Sequence, residues 1–333
     1  MELHLEEILE LTRGIVRVEE RDGWMRLCRM TLAEEAYYLE HKPHFYAKAQ
    51  ATANVRMAFR TNSQTLSFAY RNLPGSSRTF AWFELYLDGA KVKQFGQEGE
   101  EITEGRVELA LGEGEKLVEL YFPWARRIDV AHVTLDDGAT FSPAYRTKTL
   151  LCFGDSITQG FDNLMPSQSY VSRLARMLDA DAINKGVGGE KFCPQLLEQH
   201  DATLKPNVVT VAYGTNDWNK LTREDFIENC RAFCEKLSEI YPQAEIFVIS
   251  PIWRVDAEKT YEFGARLQEL HSTVELCCKG LSNVTPINGY AFVPHMKEYF
   301  KDLRVHPNDM GSSHFAEGLY SEIAKHLIKR GLL

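Results

Sequence analysis

The sequence has no excess of basic charge: 38 lysines and arginines stand against 47 aspartates and glutamates, leaving a net charge of −9. With no basic stripe to neutralise phosphates, this balance argues against a nucleic-acid partner. No uninterrupted apolar run approaches membrane-spanning length, so no membrane segment is expected. The opening stretch, Met1-Glu2-Leu3-His4-Leu5-Glu6-Glu7, is acidic and lacks the basic and apolar regions of a secretory leader. Internal repeats and low-complexity tracts are missing too, which argues against a solenoid or an array. Cysteine is sparse and odd in number: Cys28, Cys152, Cys193, Cys230, Cys234, Cys277 and Cys278. Most sit inside apolar patterns, which points to buried reduced thiols in a cytoplasmic protein. Cys230 and Cys234 are spaced for one helix face, but no second pair follows at zinc-finger spacing, so no metal site is expected.

What remains is an ordinary soluble composition, 44% hydrophobic and 26% charged. At 333 residues the chain exceeds the usual size of one core, and two domains are expected. The character of the sequence changes near residues 140 to 147, giving domains 1–146 and 147–333. In the first, short strand-like runs such as Val55–Phe59, Leu66–Tyr70, Trp82–Leu87 and Leu117–Phe122 are separated by turns, among them Leu73-Pro74-Gly75 and Asp88-Gly89. That rhythm suggests an all-β sandwich. The only helix expected in this half is at 3–12. After residue 147 strands are expected at 149–153, 181–184, 207–213 and 245–250, with helical patterns between them. The clearest helix is 222–240, where Phe226, Ile227, Cys230, Phe233, Cys234, Leu237 and Ile240 share a face and Thr222 can cap the start, with Asp225 three residues on. Strands alternating with helices imply an α/β domain, a parallel sheet covered on both faces, closed by a last helix at about 312–329.

One local pattern names a reaction. The apolar run Leu150-Leu151-Cys152-Phe153 opens directly into Gly154-Asp155-Ser156-Ile157-Thr158-Gln159-Gly160. The glycine permits a sharp turn, and the serine is left at the carboxyl end of the sheet, where ligands bind in open α/β folds. A serine hydroxyl needs a base to become a nucleophile. His306, in Val305-His306-Pro307-Asn308-Asp309, is the best candidate, because an imidazole titrates close to working pH. Two intermediate segments, Asn184-Lys185-Gly186-Val187-Gly188-Gly189 and Gly214-Thr215-Asn216-Asp217, can supply donors to a developing oxyanion. The expected oxyanion hole is the N–H of Ser156, the N–H of Gly186 and the side-chain amide of Asn216. One such donor typically contributes about 3 to 4 kcal/mol.

These four blocks resemble those of the SGNH hydrolases, the GDSL esterases and lipases. Ser156, Gly186, Asn216 and His306 stand in that superfamily's order, over residues 148 to 333. The resemblance implies a flavodoxin-like sheet, a carboxylic ester hydrolase, and no metal or organic cofactor. The first half, through Phe59-Arg60-Thr61-Asn62-Ser63 and Phe83-Glu84-Leu85-Tyr86-Leu87-Asp88-Gly89, resembles the jelly-roll-like β-sandwich that precedes the hydrolase domain in some carbohydrate esterases. It implies a short O-acyl ester, acetyl above all, on a small molecule or oligosaccharide. A lipase or lysophospholipase acting on longer chains is the alternative within the same chemistry. A carbohydrate-binding protein whose site has decayed is the alternative outside it. One departure stands out. The family's aspartate usually lies three residues before the histidine, where this chain has Leu303. Asp302, four residues before, can reach the ring through a one-residue bulge. Otherwise a backbone carbonyl would orient the ring, and Asp309 fits better as a cap of the last helix.

The remaining candidates carry structural readings beside functional ones. Asp155 is expected to hold the turn and Asp217 to brace its loop, while Gly188 and Gly189 are expected to be backbone-permissive positions. Trp218 can line a sugar or acyl pocket or lie in the core, and Trp124 and Trp253 are weaker candidates of the same kind. His295 and His314 compete with His306, His314 from the first turn of the final helix.

Overall fold

A computed structural model describes residues 1–99 and 104–333 of the chain. By its packing the chain divides into two compact units, Met1–Arg146 with Leu164–Ser167, and Thr147–Asn163 with Gln168–Leu333.

The first unit is built from two antiparallel sheets. One contains β1 (Thr12–Arg13), β4 (Arg56–Thr61), β9 (Lys116–Tyr121), β6 (Phe80–Leu87) and β7 (Ala90–Glu98) in that order, with β11 (Phe141–Pro143) also on β4. The other runs β2 (Arg17–Arg21), β3 (Trp24–Cys28), β10 (Arg126–Leu135), β5 (Thr65–Pro74) and β8 (Glu104–Ala110). Strand β5 shows why they pack: its residues alternate between buried and half-buried, placing Leu66, Phe68 and Tyr70 on one side. These meet Phe83 and Leu85 of β6, Val118 and Leu120 of β9, and Met25 and Leu27 of β3 in one apolar core. That is the sandwich the turn spacing implies.

The expectation of a single helix in this half is corrected. Besides α1 (Leu5–Leu11), the chain forms α2 (Leu32–His41) and α3 (Pro43–Ala49). The start of α2 is fixed by a capping box: Thr31 Oγ1 accepts the Glu34 N–H at 3.0 Å and Glu34 accepts the Thr31 N–H at 2.7 Å. Pro43 opens α3, where its missing N–H costs nothing.

In the second unit β12 (Lys148–Gly154), β13 (Ala180–Asn184), β14 (Val208–Ala212), β15 (Glu245–Ile249) and β16 (Val284–Ile287) form a wholly parallel sheet in the order β13-β12-β14-β15-β16. This is the flavodoxin-like order. Edge strand β16 was not foreseen in the sequence; it is four residues long and contains Pro286. Leu150 and Cys152 point to the face packed by α5 (Tyr170–Met177) and α9 (Asp309–Lys329), through Val171, Leu174, Phe315 and Leu319. Phe153 points to the other face, where its ring lies 5.6 Å from that of Phe233 in α7 (Arg223–Ile240). Thr222 caps α7 by accepting the Asp225 N–H at 3.1 Å. The last helix starts three residues earlier than expected, and its cap is Asn308 rather than Asp309: Asn308 Oδ1 accepts the N–H groups of Met310 and Gly311.

Candidate active site

Gly154 ends β12, and a Cβ there would collide with the Thr158 side chain and sit 2.9 Å from the Ala212 carbonyl oxygen. The chain turns into the short helix α4 (Ser156–Gln159), capped by Asp155, whose Oδ1 accepts the Ile157 N–H at 2.9 Å. Asp155 thus holds the turn, and Ser156 stands at the first position of the helix.

The next two blocks are stitched onto this turn. Asn184 Nδ2 donates to the Thr158 carbonyl at 2.7 Å, Val187 N–H to the Gly154 carbonyl at 3.0 Å, and Gly188 N–H to Gln159 Oε1 at 2.8 Å. From the third block, at the start of α6 (Thr215–Lys220), Asn216 Nδ2 donates to the Glu190 carbonyl at 3.1 Å and to Asp155 Oδ2 at 3.3 Å. Asp217 braces this block, accepting the N–H groups of Gly214 and Phe192 at 3.0 Å each.

The oxyanion donor expected at Gly186 is corrected. Its N–H donates to Asn184 Oδ1 at 2.8 Å and is occupied. Gly186 is a glycine for a packing reason: a Cβ would lie 2.5 Å from the Gln159 nitrogen and 2.8 Å from the Thr158 carbonyl carbon. Three residues on, Gly189 adopts φ +93°, a conformation glycine takes without strain. Among the described residues, the N–H groups of Gly189 and Ser156 donate to no protein acceptor.

His306 arrives on the loop before α9. Leu303 takes φ +56°, and this left-handed residue makes the tight turn that a four-residue spacing requires. Asp302 Oδ1 accepts three N–H groups across it, from Arg304 at 2.9 Å, Val305 at 2.8 Å and His306 at 3.1 Å. Its other oxygen lies 2.8 Å from His306 Nδ1, while Nε2 lies 2.9 Å from Ser156 Oγ. Serine, imidazole and Asp302 therefore form one hydrogen-bonded line. A second acid, Asp162, stands 3.3 Å from Nδ1; no sequence pattern flagged it.

Burial of the imidazole works against its charge, but the carboxylates of Asp162 and Asp302 outweigh that and raise His306 to about 9. Asp302 is partly buried, which opposes ionisation, yet its bonds to His306 and the loop N–H groups hold it well below the usual carboxylate range. Burial pushes Asp155 up to about 6 against the pull of the Ile157 N–H and His306, and pushes Asp217 up to about 7. Asp162, Asp302 and His306 are the one trio of acid and imidazole donor atoms within 4.8 Å of one another among the described residues. Their atoms are already engaged in holding the ring.

Trp218 is corrected from pocket wall to core. It is fully buried, its Nε1–H donates to the Ala265 carbonyl at 2.8 Å, and its ring meets Tyr261 edge-on at 4.7 Å. Trp124 is buried in the first unit, and Trp253 stacks on His295 at 5.3 Å. His314 lies in the second turn of α9 against Tyr299. All seven cysteines are buried. Cys230 and Cys234 of α7 lie beside Cys277 and Cys278 of α8 (Leu270–Cys278), a proximity that the linear spacing hid.

Residues 152–313, which hold all four blocks, match the GDSL-like Lipase/Acylhydrolase family. This segment, just under half of the chain, is similar to that family. The chain is also similar in structure to a salicylyl-acyltransferase from a tetracycline biosynthetic pathway, with 22% identity, a TM-score of 0.81 and 94% of each chain covered. A putative GDSL-like lipase from Bacteroides ovatus aligns at 20% identity and TM-score 0.73, covering 96% of each chain. A family two carbohydrate esterase from Clostridium thermocellum, in complex with cellohexaose, aligns at 19% identity and TM-score 0.63, covering 84% of this chain and 93% of that chain. At such identities these likenesses establish the fold. No curated protein matched the chain in sequence.

Proposed function

We propose that the protein is a serine esterase that removes short O-acyl groups, acetyl first among them, from carbohydrates. The observation that carries the reading is the line from Ser156 Oγ to His306 Nε2, 2.9 Å, and from Nδ1 to Asp302, 2.8 Å. Nδ1 faces the acids, so the neutral ring keeps its proton there and Nε2 accepts from the serine hydroxyl. Ser156 Oγ attacks the ester carbonyl while its proton passes to Nε2. The resulting oxyanion takes N–H donors from Ser156 and Gly189. Asn216 Nδ2 joins them by turning from its long contact with Asp155. The imidazolium returns its proton to the departing sugar oxygen, leaving an acyl-enzyme. Water, deprotonated by Nε2, then releases the carboxylic acid and restores the serine.

The carbohydrate part of the reading is supported by the first unit, a two-sheet sandwich as in the two-domain carbohydrate esterases that the sequence resembles, and by the sugar-bound esterase of similar fold. Seven buried thiols favour a reducing, cytoplasmic setting. The test is hydrolysis of acetylated oligosaccharides, and of nitrophenyl esters from acetate to palmitate, by wild type and Ser156→Ala. Acetate preference lost in the variant supports the proposal. Preference for palmitate replaces it with a lipase. A wild type that binds glycans but turns over no acetate ester replaces it with a binding protein.

A further inference from the structure

We propose that Asp162 is a positioning residue of this site: its carboxylate shares the His306 Nδ1 proton with Asp302, so the ring is clamped by two acids from two different segments. The catalytic meaning of this clamp rests on the serine-esterase reading above; its geometry does not.

Asp162 Oδ2 lies 3.3 Å from Nδ1, against 2.8 Å for Asp302 Oδ2. The two acids are anchored differently. Asp302 rides on the histidine's own loop, with a side chain 26% exposed, and spends its other oxygen on three loop N–H groups. Asp162 is 4% exposed and belongs to the nucleophile's segment. Gly160, at φ +112°, ends α4, and Phe161 N–H donates to the Ser156 carbonyl at 2.9 Å. Asn163 N–H then returns to the Gly160 carbonyl at 3.2 Å. Backbone hydrogen bonds therefore fix Asp162 relative to Ser156. Its own φ of +67° is one that aspartate and asparagine tolerate better than most residues.

The consequence is mechanical. A ring held by Asp302 alone moves with its loop, whereas a ring also held by Asp162 is tied to the frame that carries Ser156. The Phe161 ring, 5.4 Å from the imidazole, covers it from that same frame. When the serine proton reaches Nε2, the positive ring lies between two carboxylates, with the buried Asp155 as the third acid that senses its charge.

The experiment is a nitrogen-15 NMR titration of the His306 ring, assigned by comparison with His306→Asn, in wild type, Asp162→Asn, Asp302→Asn and the double variant. Asparagine keeps the size and tolerates the backbone angle. We expect the His306 midpoint to fall by about one pH unit in Asp162→Asn, and further in the double variant. In parallel, kcat for an acetate ester falls with KM unchanged, and the acid limb of its pH profile moves down by the same amount. A midpoint in Asp162→Asn equal to wild type overturns the proposal. Should Asp162→Asn fail to fold, Asp302→Asn decides: a midpoint still above the ordinary value of about 6.5 supports Asp162, and one at that value overturns it. Because the titration needs no turnover, an inactive wild type would sink the esterase reading without deciding the clamp.

Discussion

Every residue from Gly154 to Asn163, around the nucleophile, is buried, whereas residues 301–304 of the loop that delivers His306 are all exposed. The first segment is placed by close backbone packing: no Cβ fits at Gly154, and none fits at Gly186, which lies against the same turn. The second is placed by hydrogen bonds: Asp302 gathers three N–H groups and the ring, Val255 N–H donates to the Arg304 carbonyl at 3.0 Å, and the Arg304 guanidinium pairs with Asp256 at 2.7 Å. One half of the reacting pair is thus set by close packing and the other by hydrogen bonds. Substitutions on the two sides should fail differently: packing changes cost stability, and loop changes cost rate.

The sharpest way to test that contrast is at the pair itself. Ser156→Ala should lower kcat/KM by about 10⁴-fold or more, with little change in melting temperature, since it removes one hydroxyl that no packing depends on. Kinetics with a thermal melt on the same sample check both halves of the statement. Asp302→Asn should cost about 10²-fold in kcat, because Asp162 remains beside the ring. A loss as large as that of Ser156→Ala would mean the loop acid works alone. On the buried side, Gly186→Ala should destabilise the protein by about 1–3 kcal/mol, read as a lower denaturant midpoint, because its Cβ meets backbone that must shift.

Acidity should separate the sides as well. His306 must be neutral to accept the serine proton and is raised to about 9, so kcat/KM should climb with pH and level off only near that value. The stability sign runs the other way. The charged ring's contribution is fully present below its unfolded value of about 6.5 and is lost as pH rises through about 9. Melting of wild type against His306→Asn across that window checks it. The smallest effect is expected at Trp218→Phe, which gives up one hydrogen bond to Ala265, about 1 kcal/mol, and leaves KM for acetylated oligosaccharides unchanged.

The parallel half was legible because its strands are apolar, β-branched runs and α7 repeats its buried residues at helical spacing. What the sequence hid was decided by partners distant in the chain. Three glycines stand between Lys185 and Glu190, and only the fold shows that Asn184 occupies the N–H of Gly186 and Gln159 that of Gly188, leaving Gly189. Asp162 follows the serine motif without any spacing of its own, and only the returning loop brings the ring to it. Trp218 sits beside the Asn216 block in sequence, yet its indole turns inward to Ala265. The helices α2 and α3 are a different matter. Thr31 with Glu34, and Pro43, are start signals present in the sequence, set among the stronger strand rhythm of this half.

The central claim, that Ser156 is activated by His306, can be met directly with a fluorophosphonate that reacts only with an activated serine. Mass spectrometry of the labelled protein should show one adduct, on Ser156, forming at least about 10³-fold more slowly in His306→Asn. An adduct elsewhere, or labelling at the wild-type rate without the imidazole, would contradict the account.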